Sequence, residues 1–153
     1  MATREVWMKL QQGTICAILA VLHMASRPNQ QIPASEIAEI YGVSQHHLAK
    51  VLRTLSLAGI VESTRGPGGG CSFIGDARKI TLYDIIRLFE SGWFSAYPGE
   101  PHGQTDVAEE LYRVVGEVDR HTAATLQSVT LQTIINNALR TARRRGHKAM
   151  VAE

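Results

Sequence analysis

Gln45, His46, His47, Lys50 and Arg53 follow Ser44 at spacings that gather them on one side of a helix, opposite an apolar side made of Leu48, Val51, Leu52 and Leu55. A carboxamide offers a paired donor and acceptor to a base edge, imidazoles meet bases or phosphates, and lysine and arginine neutralise phosphate charge. Further on, Arg65-Gly66-Pro67-Gly68-Gly69-Gly70 places a guanidinium on a loop whose bare backbone, at Gly66, Gly68 and Gly69, can approach another surface closely. Such a loop can carry Arg65 into a narrow minor groove. Lys9 is the further cation expected on that surface. The chemistry implied is contact with the phosphates and base edges of duplex DNA.

Other chemistries fit less well. Glycine-rich loops also cradle nucleotides, but no Lys-Ser or Lys-Thr follows these glycines and no helix starts there. Adjacent histidines on a helix point about a hundred degrees apart, which does not suit one metal ion. DNA contact is therefore the expectation for His46 and His47, ahead of plain solvent exposure. No His-Glu-x-x-His run, Cys-x-x-Cys pair or nucleophile, base and orienter set is present, so neither a metal site nor an enzyme is expected.

Around these residues the sequence predicts a helix pair and a β-hairpin. Ile32-Pro33 to Gly42 reads as a short helix opened by proline and closed by glycine, with Ile37, Ile40 and Tyr41 at helical spacing. Val43 and Ser44 make the turn and the N-cap of a second helix, Gln45 to about Ala58. Ile60–Thr64 and Cys71–Ile74 read as strands flanking the glycine loop. The order helix, helix, strand, loop, strand is that of a winged helix-turn-helix, whose second helix enters the major groove.

The rest of the chain supports this unit. Val6 to about Ser26 predicts a long helix whose buried face holds Trp7, Leu10, Ile15, Ile18, Leu19, Val21, Leu22 and Met24. Thr81-Leu82-Tyr83-Asp84 resembles a capping box opening a helix through Leu82, Ile85, Ile86 and Phe89. Residues 91–104 form a loop rich in Pro and Gly that also carries Trp93, Phe94 and Tyr97, which suit either packing against a partner subunit or a small apolar ligand. Thr105 or Asp106 then caps a long helix in which Val107, Leu111, Val114, Val115, Val118, Thr122, Leu126 and Val129 repeat every three or four residues. A single winged domain has little surface to cover this stripe, which favours dimerisation. A last helix, Leu131 to about Ala142, precedes a basic tail. The fold class expected is mainly α, organised as a DNA-binding domain (1–90), a loop (91–104) and a dimerisation helix with terminal helix and tail (105–153).

Composition agrees. With 153 residues, 44% hydrophobic and 20% charged, the chain is long enough for one core and an extension. A net charge of +2 permits nucleic-acid binding without demanding it. No apolar run reaches membrane-spanning length, and the N-terminus lacks a signal-peptide layout, so a cytoplasmic location is expected.

Met8-Lys9-Leu10, Ile37-Ala38-Glu39, Val43-Ser44 with Leu48 and Leu52, Leu57-Ala58-Gly59-Ile60-Val61, the Arg65–Gly70 loop and Ile80–Ile86 together resemble the Rrf/BadM family of bacterial winged-helix transcription regulators, from about Met8 to Asn137. The resemblance implies a homodimeric repressor of a near-palindromic operator in double-stranded DNA, with Gln45–Arg53 in the major groove and Arg65 near the minor groove. Cluster-binding members of the family carry three cysteines in the loop that corresponds here to residues 92–104. This loop has none, so no iron-sulfur cofactor is expected.

The signal is left open by the residues. Cys16, among Ile15, Ala17, Ile18 and Leu19, reads first as a small buried hydrophobe and second as a redox switch; Cys71, after the wing glycines, is expected to be more exposed. A runner-up function is a winged helix that binds a protein partner instead of DNA.

Overall fold

The computed structural model describes residues 10–92 and 105–150, with side chains to 146. Its elements are α1 (Gln12–Ala25), α2 (Ala34–Tyr41), α3 (Gln45–Leu57), β1 (Val61–Thr64), β2 (Gly70–Phe73), α4 (Leu82–Phe89), α5 (Asp106–Ser128) and α6 (Leu131–Met150). The family-type order is thus present. Lys9, Trp7, Trp93, Phe94 and Tyr97 lie outside the described residues.

Local chemistry explains the helix pair. Pro33 stands at the N-cap of α2 in an extended conformation, and Gly42 closes the helix in the left-handed region with φ 63°. The Val43 N–H reaches back to Ala38 O at 3.0 Å, and Ser44 then caps α3 by accepting from the His47 N–H at 3.1 Å. Arg27 and His23 at the end of α1 hold α2 from the side. Arg27 Nη1 donates to Glu36 Oε1 at 2.6 Å, and the two ring nitrogens of His23 lie 3.4 Å from Glu36 Oε1 and 3.2 Å from Tyr41 Oη. The neighbouring guanidinium and imidazole hold the Glu36 carboxyl below its ordinary range.

The core lies where α1 crosses the other elements. Ala17, Ala20, Val21 and Met24 of α1 meet Ile37, Leu48, Val51, Leu52, Leu55, Val61, Ile85 and Leu131. Small residues line the inner side of α1, letting α3 and α4 pack closely. Ile15 therefore turns outward at 45% exposure instead of joining the core as its hydrophobicity suggested, and Thr14 and Cys16 are buried in its stead. Ile40 of α2 is likewise exposed.

The hairpin is antiparallel, pairing Val61 with Phe73 and Thr64 with Gly70. A residue from another part of the chain joins it. Ile32 bridges Cys71, its N–H donating to Cys71 O at 2.9 Å while Cys71 N–H donates to Ile32 O at 2.8 Å. The inner strand of the wing is thus bonded on both edges, and Cys71 is only 3% exposed, against the expectation of an accessible thiol.

Thr81 and Asp84 form the anticipated capping box of α4, and the corner between α5 and α6 is sewn to that end of the domain. Leu82 N–H donates to Val129 O at 2.9 Å, and Leu131 N–H to Ile80 O at 3.0 Å. From this corner α5 runs outward with its apolar stripe largely uncovered. The terminal helix continues to Met150, longer than the expected end near Ala142, so Arg140, Arg143, Arg144 and Arg145 are helical and exposed rather than part of a loose tail. Among the described residues no helix is long and apolar enough to cross a membrane.

Candidate nucleic-acid interface

The recognition face of α3 is set by what its other side buries. Leu48, Val51, Leu52 and Leu55 face the core, which turns Gln45, His46, Lys50 and Arg53 to solvent. His47 differs from the expectation. Its ring Nε2 is buried without a hydrogen-bond partner among the described residues, and a Cβ added to Gly13 would lie 3.8 Å from its Cε1. The imidazole therefore packs, half-buried, over the first turn of α1, with its Nε2 turned away from solvent.

Arg65, Gly66 and Gly68 are exposed at the wing tip. Gly66 and Gly68 adopt φ 101° and 76°, a region that disfavours side chains, and the loop is closed by Gly69 N–H donating to Gly66 O at 2.9 Å. Between helix and wing lies a groove of about 730 Å³, with Arg53 on one wall and Arg65 on the other. Ala49, Ser56, Ser63 and Thr64 also line it, and no carboxylate among the described residues does. Among the described residues Lys50, Arg53 and Arg65 enter no salt bridge, so their charges are available to an incoming anion. Ala49 was not singled out from the sequence. The row Gln45, Ala49, Arg53 at helical spacing was the signal for it, because a small residue between two polar ones lets a surface come close.

Cys71 lies at the floor of this groove with its Sγ 3.4 Å from Ser63 Oγ, and Cys16 is buried in α1, where desolvation pushes its thiol above the ordinary value. Both positions disfavour rapid oxidation, since the reactive species is an accessible thiolate. Native protein is expected to react slowly with an aromatic disulfide reagent and quickly once unfolded in denaturant. Fast labelling of either thiol in the native state would contradict the burial.

Compared with known proteins, the chain matches the family model described as Rrf2, iron-dependent transcriptional regulator, over residues 10–137. The chain belongs to the Rrf2 family. It is 39% identical over 128 residues to the putative HTH-type transcriptional regulator BadM of Rhodopseudomonas palustris, spanning 84% of this chain and 81% of that protein. Its fold is similar to that of CymR, the global cysteine regulator of B. subtilis, with a TM-score of 0.72 at 23% identity, covering 85% of this chain and 98% of that one. It is also similar to T. potens IscR, with a TM-score of 0.68 at 25% identity, covering 86% and 88% of the two chains. The mainly helical winged fold and the regulator class read from the sequence are thus those of the Rrf2 family.

An iron-sulfur cluster of the family's thiolate-bound kind does not fit this Rrf2 protein. Its two cysteines, Cys16 and Cys71, are both buried, one in α1 and one in β2, and residues 92–104 contain none. Among the described residues no group of His, Cys, Asp and Glu gathers at metal-binding distances.

Proposed function

We propose that this Rrf2-family protein acts in the cytoplasm as a homodimeric repressor that reads a near-palindromic operator, with α3 in the major groove and the wing near the minor groove. One observation carries the reading. Arg53 of α3 and Arg65 of the wing, neither in a salt bridge among the described residues, line a single groove to which no described carboxylate contributes, as a surface meeting two strands of phosphates requires. The exposed stripe on α5, with Val107 at 81% and Val118 at 61% exposure, supports pairing with a second copy, since so large a run of apolar side chains is rarely left in water. Two-fold pairing also matches two recognition helices to two half-sites.

On this reading Gln45, His46, Lys50, Arg53 and Arg65 approach the duplex, Ser44 and the wing glycines hold them in place, and Lys9 adds a further phosphate contact. Arg65→Ala is expected to weaken operator binding by about 1–3 kcal/mol, and Gln45→Ala to relax base preference more than it lowers total affinity. Gel-shift titration against a duplex selected from a randomised library, repeated at several salt concentrations, tests both. Each lost phosphate contact should flatten the salt dependence by about one unit of slope. Variants that bind and discriminate like the wild type would overturn the groove assignment.

The burial of Cys16 and Cys71 weighs against thiol oxidation as the signal.

A further inference from the structure

Among the described residues Glu90 is the only charged side chain that is buried, at 4% exposure. It closes α4 and faces the first turn of α1, which has no cap of its own: Gln11 makes no side-chain capping bond, and the turn holds no acidic residue. The Glu90 carboxylate supplies both. Its Oε1 accepts from the Gln11 backbone N–H at 2.8 Å and from the Thr14 hydroxyl at 2.5 Å, and its Oε2 accepts from the Gln11 carboxamide at 3.2 Å. A negative charge is thereby held at the positive end of the α1 dipole, by a residue that is distant in sequence.

That same turn touches the recognition helix. The ring of His47 lies over Gly13, its Nε2 buried and without a partner among the described residues, while the His47 N–H is tied to the Ser44 cap. Contacts therefore run without a break from the end of α4, through the first turn of α1, to the first turn of α3. We propose that Glu90 is a positioning residue for DNA recognition: its carboxylate fixes the start of α1, and the start of α1 fixes the His47 end of α3, which carries Gln45 to the duplex. The role rests on the DNA-binding reading.

Two variants test it. Glu90→Gln turns one acceptor oxygen into a donor facing donors, and Thr14→Val removes the hydroxyl at nearly constant volume. Each is expected to lower affinity for the duplex that the wild type selects from a randomised library by about tenfold, a typical size for coupling between sites. In the DNA-free protein each should also move the NMR resonance of the His47 Cε1 proton, while that of His23, at the other end of α1, stays in place. A merely structural Glu90 would lower the unfolding midpoint without singling out His47. An unmoved His47 resonance in both variants, or unchanged affinity in both, overturns the role. If the wild type itself selects no duplex, the DNA-binding reading falls and the role with it, whereas normal selection by wild type and variants alike removes the role alone.

Discussion

Leu111→Asp is expected to leave each chain folded and yet to reduce operator affinity by roughly a hundredfold or more, the scale on which linked binding units gain over single ones. Leu111 is 59% exposed on α5, in line with Val107, Val114 and Val118, and among the described residues no element of its own chain covers that face. In a single chain the aspartate would sit in water at little cost. Against a second copy it would place an unpaired charge at the centre of an apolar contact, a penalty of several kcal/mol counted over the two chains. Sedimentation should then report a monomer, and gel shift a weak, half-site complex. A variant that stays dimeric and binds normally would take α5 out of the interface.

Gly69→Ala should disable the wing. A Cβ built on Gly69 would stand 2.2 Å from Thr64 O and 2.9 Å from Gly66 O, and these are backbone atoms that cannot swing aside like a side chain. The loop closed by the Gly69 to Gly66 hydrogen bond must therefore open, which moves Arg65 off the wall it shares with Arg53. We expect stability to fall by about 1–3 kcal/mol. Operator affinity should fall by at least the loss caused by Arg65→Ala, because the guanidinium is displaced and the wing backbone with it. Gly66 and Gly68 differ: both have positive φ but open space around them, so alanine there meets only backbone strain, about 1–2 kcal/mol each. Thermal melts and gel shifts of the three variants separate the two causes. Equal behaviour of all three would show that crowding at Gly69 is not what the wing depends on.

The helix-turn-helix, its caps and the wing were legible because each is written within a few residues. Ser44 lies three residues before the amide it caps, Thr81 and Asp84 cap each other, and Gly42 takes the left-handed conformation its own residue type permits. The α5 stripe was equally visible, since helical periodicity needs no partner to be read.

What periodicity could not supply was the partner across the fold. Ile15 was assigned to the core on hydrophobicity, but α1 is crossed closely enough that alanines and Thr14 fill the inner side and the larger residue is turned out. Cys71 was expected at the surface because it follows a loop, and the bridge from Ile32 buried it. His47 carried the right chemistry for DNA on the right helix, yet Gly13 of α1 leaves room for its ring to lean, half-buried, on that helix. Glu90 gave no signal at all.

The residue sequence by itself determined the class of this protein: which segments coil, where they stop, and which cations one helix and one glycine loop present together. Tertiary structure alone decided which of those side chains are free to act. A cap or an amphipathic face depends on neighbours three or four positions away, whereas the Ile32–Cys71 bridge and the Glu90–Thr14 hydrogen bond join residues whose meeting depends on how all the intervening elements pack.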